Sequence, residues 1–275
     1  MSLFITSLNS GSNGNCYYIG NDSEAVLIDA GISCREIEKR MKRLGLSLAI
    51  VKAIFVSHEH ADHIVGVARL SKKYQLPVYI THPTLVSSAL PVERKMILSF
   101  RAHENITIGN LSVTAFPKFH DASDPHSFVV SGNKINIGVF TDIGSPCEHV
   151  ISHFKTCHAA FLEANYCEQM LMNGRYPLSL KNRISSTYGH LSNNQALNLF
   201  LTYRGGQLSH LILSHLSKNN NRPELVEQLF KPQAGNVRIV VASRYRETSV
   251  YCIEPNTSFG TEEKKSLSPV QLSLF

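Results

Sequence analysis

At 275 residues, 43% of them hydrophobic and 17% charged, the chain can bury a sizeable core and is too apolar in composition for a disordered polymer. No apolar run reaches the roughly 20 residues that span a bilayer, which excludes an integral helical membrane protein. A net charge of +6 favours polyanionic partners such as nucleic acid, and six scattered cysteines with no CxxC pair exclude a disulfide scaffold and suit a reducing cytoplasm.

The opening "MSLFITSLNSGSNGN" carries no basic leader, so export is not expected. In chain order, "FITSL", "CYYIG" and "AVLIDAG" read as strands and Arg35 to Leu44 as a basic amphipathic helix. "AIFVSHEHADH" is a buried strand running into a polar loop, followed by a helix over 64–74 and the strand "VYIT". Strand signals fill Ile106 to Phe140, with "SGNK" as a hairpin turn. Alternation returns with the strand "AAFLEAN", helices near 167–173 and 194–203, the strand "HLILSH" and a helix over 223–230. "VRIVVA" and "SVYCI" close the fold. Two successive β/α halves without repeat or linker predict one α/β domain over residues 1–254, an αββα sandwich of two mixed sheets flanked by helices. Residues 255–275 read as a polar, flexible tail.

The chemistry concentrates in "SHEHADH". Three imidazoles and a carboxylate follow directly on a hydrophobic strand: His58, His60, Asp62 and His63. Alternate side chains at a strand end project the same way, which brings His58 and His60 onto one metal and lets Asp62 and His63 turn toward a second. The run HxHxDH resembles the signature of the metallo-β-lactamase superfamily. The resemblance implies Asp29 of "LIDAG" as the residue that orients the metal histidines. It makes His120 of "FPKFHDA" the third ligand of the first metal. Asp142 of "FTDIG" becomes the bridging carboxylate, and His215 of "LILSHLS" the last ligand of the second metal. Two divalent ions, zinc or manganese, about 3.5–4 Å apart activate a water and stabilise both attacking and leaving oxygens. The reaction class is hydrolysis of an ester, amide, thioester or phosphodiester, and the fold does not choose among them.

Two segments narrow the choice. "FLEAN" ends a strand with Glu163, and "GHLSNNQALNLF" places His190 before a helix whose N-cap is Ser192 or Asn193. The layout is similar to the tRNase Z branch, in which a Glu–His pair protonates the departing oxygen; alternatively His190 only caps its helix. A phosphodiester needs such an acid because its alkoxide leaves poorly. Asp62, Glu163 and His190 are the candidate catalytic residues. From residue 3 to about 253 the chain resembles the YycJ (WalJ) group, regarded as DNA exonucleases, through "SGSNGNCYYI", "SHEHADHIVGV", "FHDASDP", "LEAN", "MLMNGRYPLSLKNRISS", "GHLSN" and "HLSKNNN". It departs after "LEAN", where many members carry His-Asp and this chain has Tyr166-Cys167; Tyr166 is kept as a candidate substrate contact.

Arg175, Lys181 and Arg183, with Ser192 and Asn193 at the helix start, are candidate nucleic-acid contacts, although a solvated basic helix face explains the cations equally well. "GSNGN" either offers backbone N–H groups to phosphates or is only a turn. The ending "QLSLF", with Gln271, Leu272, Leu274 and Phe275, resembles the pentapeptide with which bacterial replication and repair proteins dock on the sliding clamp; alternatively it folds back as an edge strand. The expectation is a cytoplasmic dinuclear-metal phosphodiesterase acting on DNA, a 5′-3′ exonuclease in repair or replication. An RNA nuclease, a thioester or lactone hydrolase, and a non-catalytic clamp-associated regulator are the alternatives.

Overall fold

Apolar alternation builds two sheets on one plan. In the computed structural model, which describes residues 2–255, β1 (Leu3–Asn9), β2 (Cys16–Gly20) and β3 (Ala25–Ile28) pair antiparallel. β4 (Val51–Phe55), β5 (Val78–Tyr79) and β6 (Ile97–Leu98) extend that sheet in parallel. The second sheet repeats the sequence. β7 (Asn105–Ile108), β8 (Leu111–Pro117), β9 (His126–Gly132) and β10 (Ile135–Phe140) are antiparallel, then β11 (Ala159–Glu163), β12 (His210–Ser214) and β13 (Arg238–Val241) are parallel. β14 (Tyr251–Ile253) returns to pair with β1, so each sheet has seven strands.

The period-2 pattern decides which face each residue takes. Ile135, Ile137 and Val139 of β10 join Leu3, Ile5, Val26, Ile28 and Phe161 in the layer between the sheets. Phe140 turns outward under α5 (Glu148–Lys155) and α8 (Asn193–Tyr203). On the other outer face, α1 (Cys34–Arg43) and α3 (Val67–Tyr74) cover Leu27 and Ile54. Phe161 is fully buried with its ring 4.8 Å from that of Tyr17, and truncating such a side chain to alanine costs about 3–5 kcal/mol. Among the described residues, no helix is long and apolar enough to cross a membrane.

The "SGNK" hairpin forms as expected, with Asn133 and Lys134 both left-handed (φ 52° and 65°). The helix expected over 64–74 is instead two pieces, α2 (Ala61–Ile64) and α3. Gly66 separates them: its N–H donates to Ala30 O at 2.7 Å, and a Cβ there would meet Ile32 O at 2.2 Å. α4 (His82–Ser88), α5 and α7 (Leu178–Ile184) are additional helices that the sequence reading did not place. α6 (Glu168–Asn173), α8 and α9 (Pro223–Phe230) lie where alternation placed them. The tail with Gln271, Leu272, Leu274 and Phe275 lies outside the described residues.

Candidate metal centre

The strands end on one edge, and their last turns supply the site. Asp29 follows β3, His58 and His60 follow β4, His120 follows β8, Asp142 follows β10, Glu163 ends β11 and His215 follows β12. Asp29, Asp142 and His215 all sit in the left-handed region (φ 60°, 55° and 57°), which swings their side chains off the strand alternation toward the edge. Such backbone costs of order 1–3 kcal/mol per residue and needs to be held. Asp29 N donates to Phe55 O (2.8 Å), His215 N to Ser10 Oγ (2.7 Å), and Lys118 Nζ to Thr141 O beside Asp142 (2.7 Å). The histidine loop is pinned backbone to backbone: Asn15 N donates to Asp62 O (2.7 Å) and Ala30 N to His63 O (2.9 Å). Gly31 permits this, since a Cβ would lie 1.7 Å from Asp62 O.

Two nitrogen-rich clusters result. His60 Nδ1 is 3.0 Å from His58 Nε2 and 3.4 Å from His120 Nε2. Nitrogens bound about 2.0–2.1 Å from one tetrahedral zinc lie about 3.4 Å apart, so this trio has the right spacing. Beside it, Asp62 Oδ2 is 3.6 Å from His63 Nε2 and 3.4 Å from His215 Nε2. Asp142, 2% exposed, lies between the clusters with Oδ2 3.2 Å from His63 Nε2, and that buried oxygen has no hydrogen-bond partner. An orphaned buried carboxylate oxygen facing inward-pointing imidazoles is what a divalent cation would satisfy. The donor atoms of each cluster lie within 4.8 Å of one another, and the set suits divalent metals.

The far nitrogens are also held. His63 Nδ1 meets Asp29 Oδ2 at 2.7 Å, His215 Nδ1 meets Glu163 Oε1 at 2.9 Å, His58 Nδ1 meets Ser57 Oγ at 2.9 Å and His120 Nδ1 meets Gly189 O at 3.0 Å. Each contact fixes a ring and leaves the opposite nitrogen free for a metal. Glu163 Oε1 also meets His190 Nδ1 at 2.8 Å, while its Oε2 accepts from Ile143 N (2.8 Å) and Leu191 N (3.2 Å).

Without cations the two clusters differ electrostatically. Burial pushes His58 well below the ordinary histidine value, with His63 adding to it, and burial takes His120 down to about 3. Both are neutral ligands in waiting. Burial alone would also lower His63 and His215, but Asp142 and its neighbouring carboxylates outweigh it, raising His63 well above the usual value and His215 to about 10. Burial would raise Asp62, Asp142 and Glu163. Instead His63 and His215 hold Asp62 at about 2, His215 and His63 hold Asp142 well below its usual value, and His190 holds Glu163 at about 2.

The sequence profile of the Beta-lactamase superfamily domain matches residues 24–216. The chain belongs to the metallo-β-lactamase superfamily. It is 36% identical over 231 residues to exodeoxyribonuclease YycJ of Bacillus anthracis, covering 82% of this chain and 86% of that protein. It is 28% identical over 256 residues to exodeoxyribonuclease WalJ of Streptococcus pneumoniae serotype 2, covering 91% and 94%. Among solved structures it resembles the metallo-β-lactamase fold protein YhfI of Bacillus subtilis, with TM-score 0.69 at 15% identity over 92% of this chain and all of that one.

In this metallo-β-lactamase centre the remaining candidates divide. Arg183 lines the cavity of about 230 Å³ over the clusters, together with His60, Asp62, Asp142, His190 and His215, and pairs with Asp121. Lys181 Nζ donates one hydrogen bond to Met172 O (2.7 Å), and neither it nor the exposed Arg175 lines that cavity. Ser192 is buried as the N-cap of α8 in a reciprocal capping box with Gln195, and Asn193 is buried against Asn221. Neither side chain is presented to a strand, and Ser192 N is taken by Gln195 Oε1. Tyr166 is 4% exposed and lines neither the cavity over the clusters nor the one beside it. Sequence reasoning missed three residues. Asn15 Nδ2 donates to Asp62 Oδ2 (3.2 Å), Ser57 Oγ donates to Asp29 Oδ2 (2.8 Å) while touching His58, and Lys118 is buried behind Asp142. Ser57 and Lys118 stand one and two residues from metal-type histidines, a legible signal; Asn15 lies 47 residues from Asp62 and left none.

Proposed function

We propose that the chain is a divalent-metal-dependent exonuclease acting on DNA with 5′-3′ polarity, serving repair or replication. The observation that carries this reading is the Glu163–His190 pair, 2.8 Å apart, at the rim of the cation clusters. The naming of the YycJ and WalJ relatives as exodeoxyribonucleases supports the choice of DNA.

His58, His60 and His120 would hold one cation and Asp62, His63 and His215 the other, with Asp142 shared. Zinc suits the histidine trio, and manganese the mixed set. When bound, two such cations lower the pKa of a water and neutralise the charge that develops on the phosphate. Asp29 and Glu163 keep His63 and His215 turned with Nε2 inward. The Asp62 carboxylate, held by Asn15 and open to the cavity, accepts the proton of the attacking water. His190 has Nδ1 fixed by Glu163 and its other nitrogen directed to the substrate side, where it gives a proton to the departing sugar oxygen. Arg183, standing in the cavity wall, contacts a non-bridging phosphate oxygen.

The six unpaired cysteines among the described residues suit the cytoplasm. Residues 1–254 form the catalytic unit, and the tail ending in Gln271, Leu272, Leu274 and Phe275 tethers it to the sliding clamp. Incubating protein and Mn²⁺ or Zn²⁺ with labelled duplex DNA, RNA and S-lactoylglutathione tests the reaction: DNA is cleaved fastest, and turnover of the thioester alone defeats the proposal. Deleting Gln271 to Phe275 abolishes clamp binding but not cleavage of short DNA; clamp binding that survives refutes the tether.

A further inference from the structure

Resting on the nuclease reading, we propose that a second cavity beside the metal centre, walled by Lys218, Arg222 and Arg244, holds the backbone phosphate of the nucleic-acid strand next to the scissile one. The cavity has a volume of about 250 Å³, the space of about eight waters at roughly 30 Å³ each and enough for a phosphate with its sugar. It adjoins the catalytic cavity. Ser217 lines both, and the loop after β1 gives Ser10 to one and Ser12 to the other. The shared Ser217 makes the two cavities continuous, so a strand whose scissile phosphate lies over the clusters can run on to this wall.

The charge pattern points the same way. Among the described residues, no carboxylate lies within 4.0 Å of Lys218, Arg222 or Arg244, whereas Arg43 is paired with Glu247 and Arg183 with Asp121. Three cations left unpaired around one concavity repel each other and attract a polyanion. Arg244 is placed deliberately. Its Nη2 is 3.5 Å from Ser12 Oγ, at the partition between the cavities, and its carbonyl accepts from Asn13 Nδ2 at 2.9 Å. Gly11 (φ 140°) makes room for it, since a Cβ there would lie 2.8 Å from Arg244 Nη2.

The "GSNGN" loop, for which a phosphate cradle and a plain turn were the alternatives, has three of its N–H groups engaged: Gly11 N on Asn15 Oδ1, Gly14 N on Gly11 O and Asn15 N on Asp62 O. The loop clasps Arg244 on one side and Asp62 on the other. At the cavity mouth Tyr245 is 72% exposed, a flat ring on which the neighbouring base stacks.

The test is fluorescence anisotropy of a labelled single-stranded oligodeoxynucleotide titrated with full-length protein in EDTA across a salt series. The Lys218→Gln/Arg222→Gln/Arg244→Gln variant raises Kd at least tenfold and lowers the slope of log Kd against log salt by about 0.7, the contribution of one phosphate contact on a single strand. Tyr245→Ala raises Kd about tenfold with the slope kept. With metal restored, the ratio of kcat/KM on the oligonucleotide to that on bis(p-nitrophenyl) phosphate, which ends at the scissile phosphate, falls at least tenfold in the triple variant. Kd and slope within twofold of wild type, or equal losses on both substrates, overturn the proposal. Arg222→Lys, which keeps the charge on an exposed side chain, retains the wild-type slope; its loss would equally count against the site. Wild-type protein that binds DNA without cleaving it defeats the nuclease reading alone, and the salt slope still judges the cavity. Wild-type protein that binds no DNA defeats both.

Discussion

Glu163 Oε1 stands 2.8 Å from His190 Nδ1, and the same oxygen stands 2.9 Å from His215 Nδ1. One buried carboxylate therefore aims both an imidazole of the cation cluster and the imidazole at the substrate side. The two tasks are coupled by a single atom, and substitution can separate them.

His190→Ala removes the proton donor and leaves the clusters intact. Cleavage of DNA falls by about 10²–10⁴ in kcat, whereas a p-nitrophenyl diester, whose leaving group needs no proton, loses about tenfold or less. Steady-state kinetics on both substrates check this; equal losses would make His190 a structural residue. Glu163→Gln adds a second defect, because His215 also loses its partner and metal affinity drops about 10–100-fold.

Metal uptake depends on pH in a defined direction. His215 is raised to about 10 and His63 is raised well above the usual value, so both carry protons at neutral pH in the metal-free protein, while His58 and His120 do not. The raised His215 stabilises the metal-free fold fully below the ordinary value of 6.5, and that contribution is lost as pH climbs through about 10. A cation in the Asp62–His63–His215 cluster must displace those protons, so its affinity rises with pH, whereas His58 and His120 in the other cluster add little proton release. Calorimetry in buffers of different ionisation enthalpy reads the released protons. A first equivalent that releases as many as the second would contradict the assignment.

Ser57 holds the two clusters together, with Oγ 2.8 Å from Asp29 Oδ2, 2.9 Å from His58 Nδ1 and 3.3 Å from His63 Nδ1. Ser57→Ala leaves these buried groups short of a partner at a cost of about 1–3 kcal/mol. It also lowers metal affinity about 10–100-fold. Thermal melting with and without metal, together with competitive chelator titration, measures both effects.

Gly31→Ala forces a methyl against Asp62 O, 1.7 Å from the ideal Cβ position. The histidine loop must move, which destabilises the protein by about 2–3 kcal/mol and lowers metal content. Gly206→Ala meets nothing within 4 Å and stays within about 0.5 kcal/mol of wild type. Paired melts with elemental analysis compare the two.

The alternation that places Ile135, Ile137 and Val139 inward is local, and so most strands and the two-sheet plan were legible from the chain, whereas the two-residue β6 and the strand order were not. His58, His60, Asp62 and His63 were legible as a dense cluster following an apolar strand, whereas Asp29, His120, Asp142 and His215 were identified through the resemblance to the metallo-β-lactamase superfamily. Contacts made across sequence left no local mark. Nothing near Asn15 shows that Asp62 will meet it, and nothing near Ser192 shows that its hydroxyl donates to Glu168, although its cap on Gln195 N is local and was legible. The break at Gly66 comes from the Ala30 and Ile32 carbonyls, more than thirty positions away. The basic wall of Lys218, Arg222 and Arg244 needed the loops after β12 and β13 folded together before it could be seen.

The proposed reaction needs two cations held by these strand ends to cut DNA from an end. Titrating EDTA-stripped protein with Mn²⁺ and following release of label from end-labelled duplex DNA tests it most directly. The account predicts no release without metal, then mononucleotide release that climbs to a plateau near two equivalents per chain. Release that persists in EDTA, or none at any metal concentration, would contradict it.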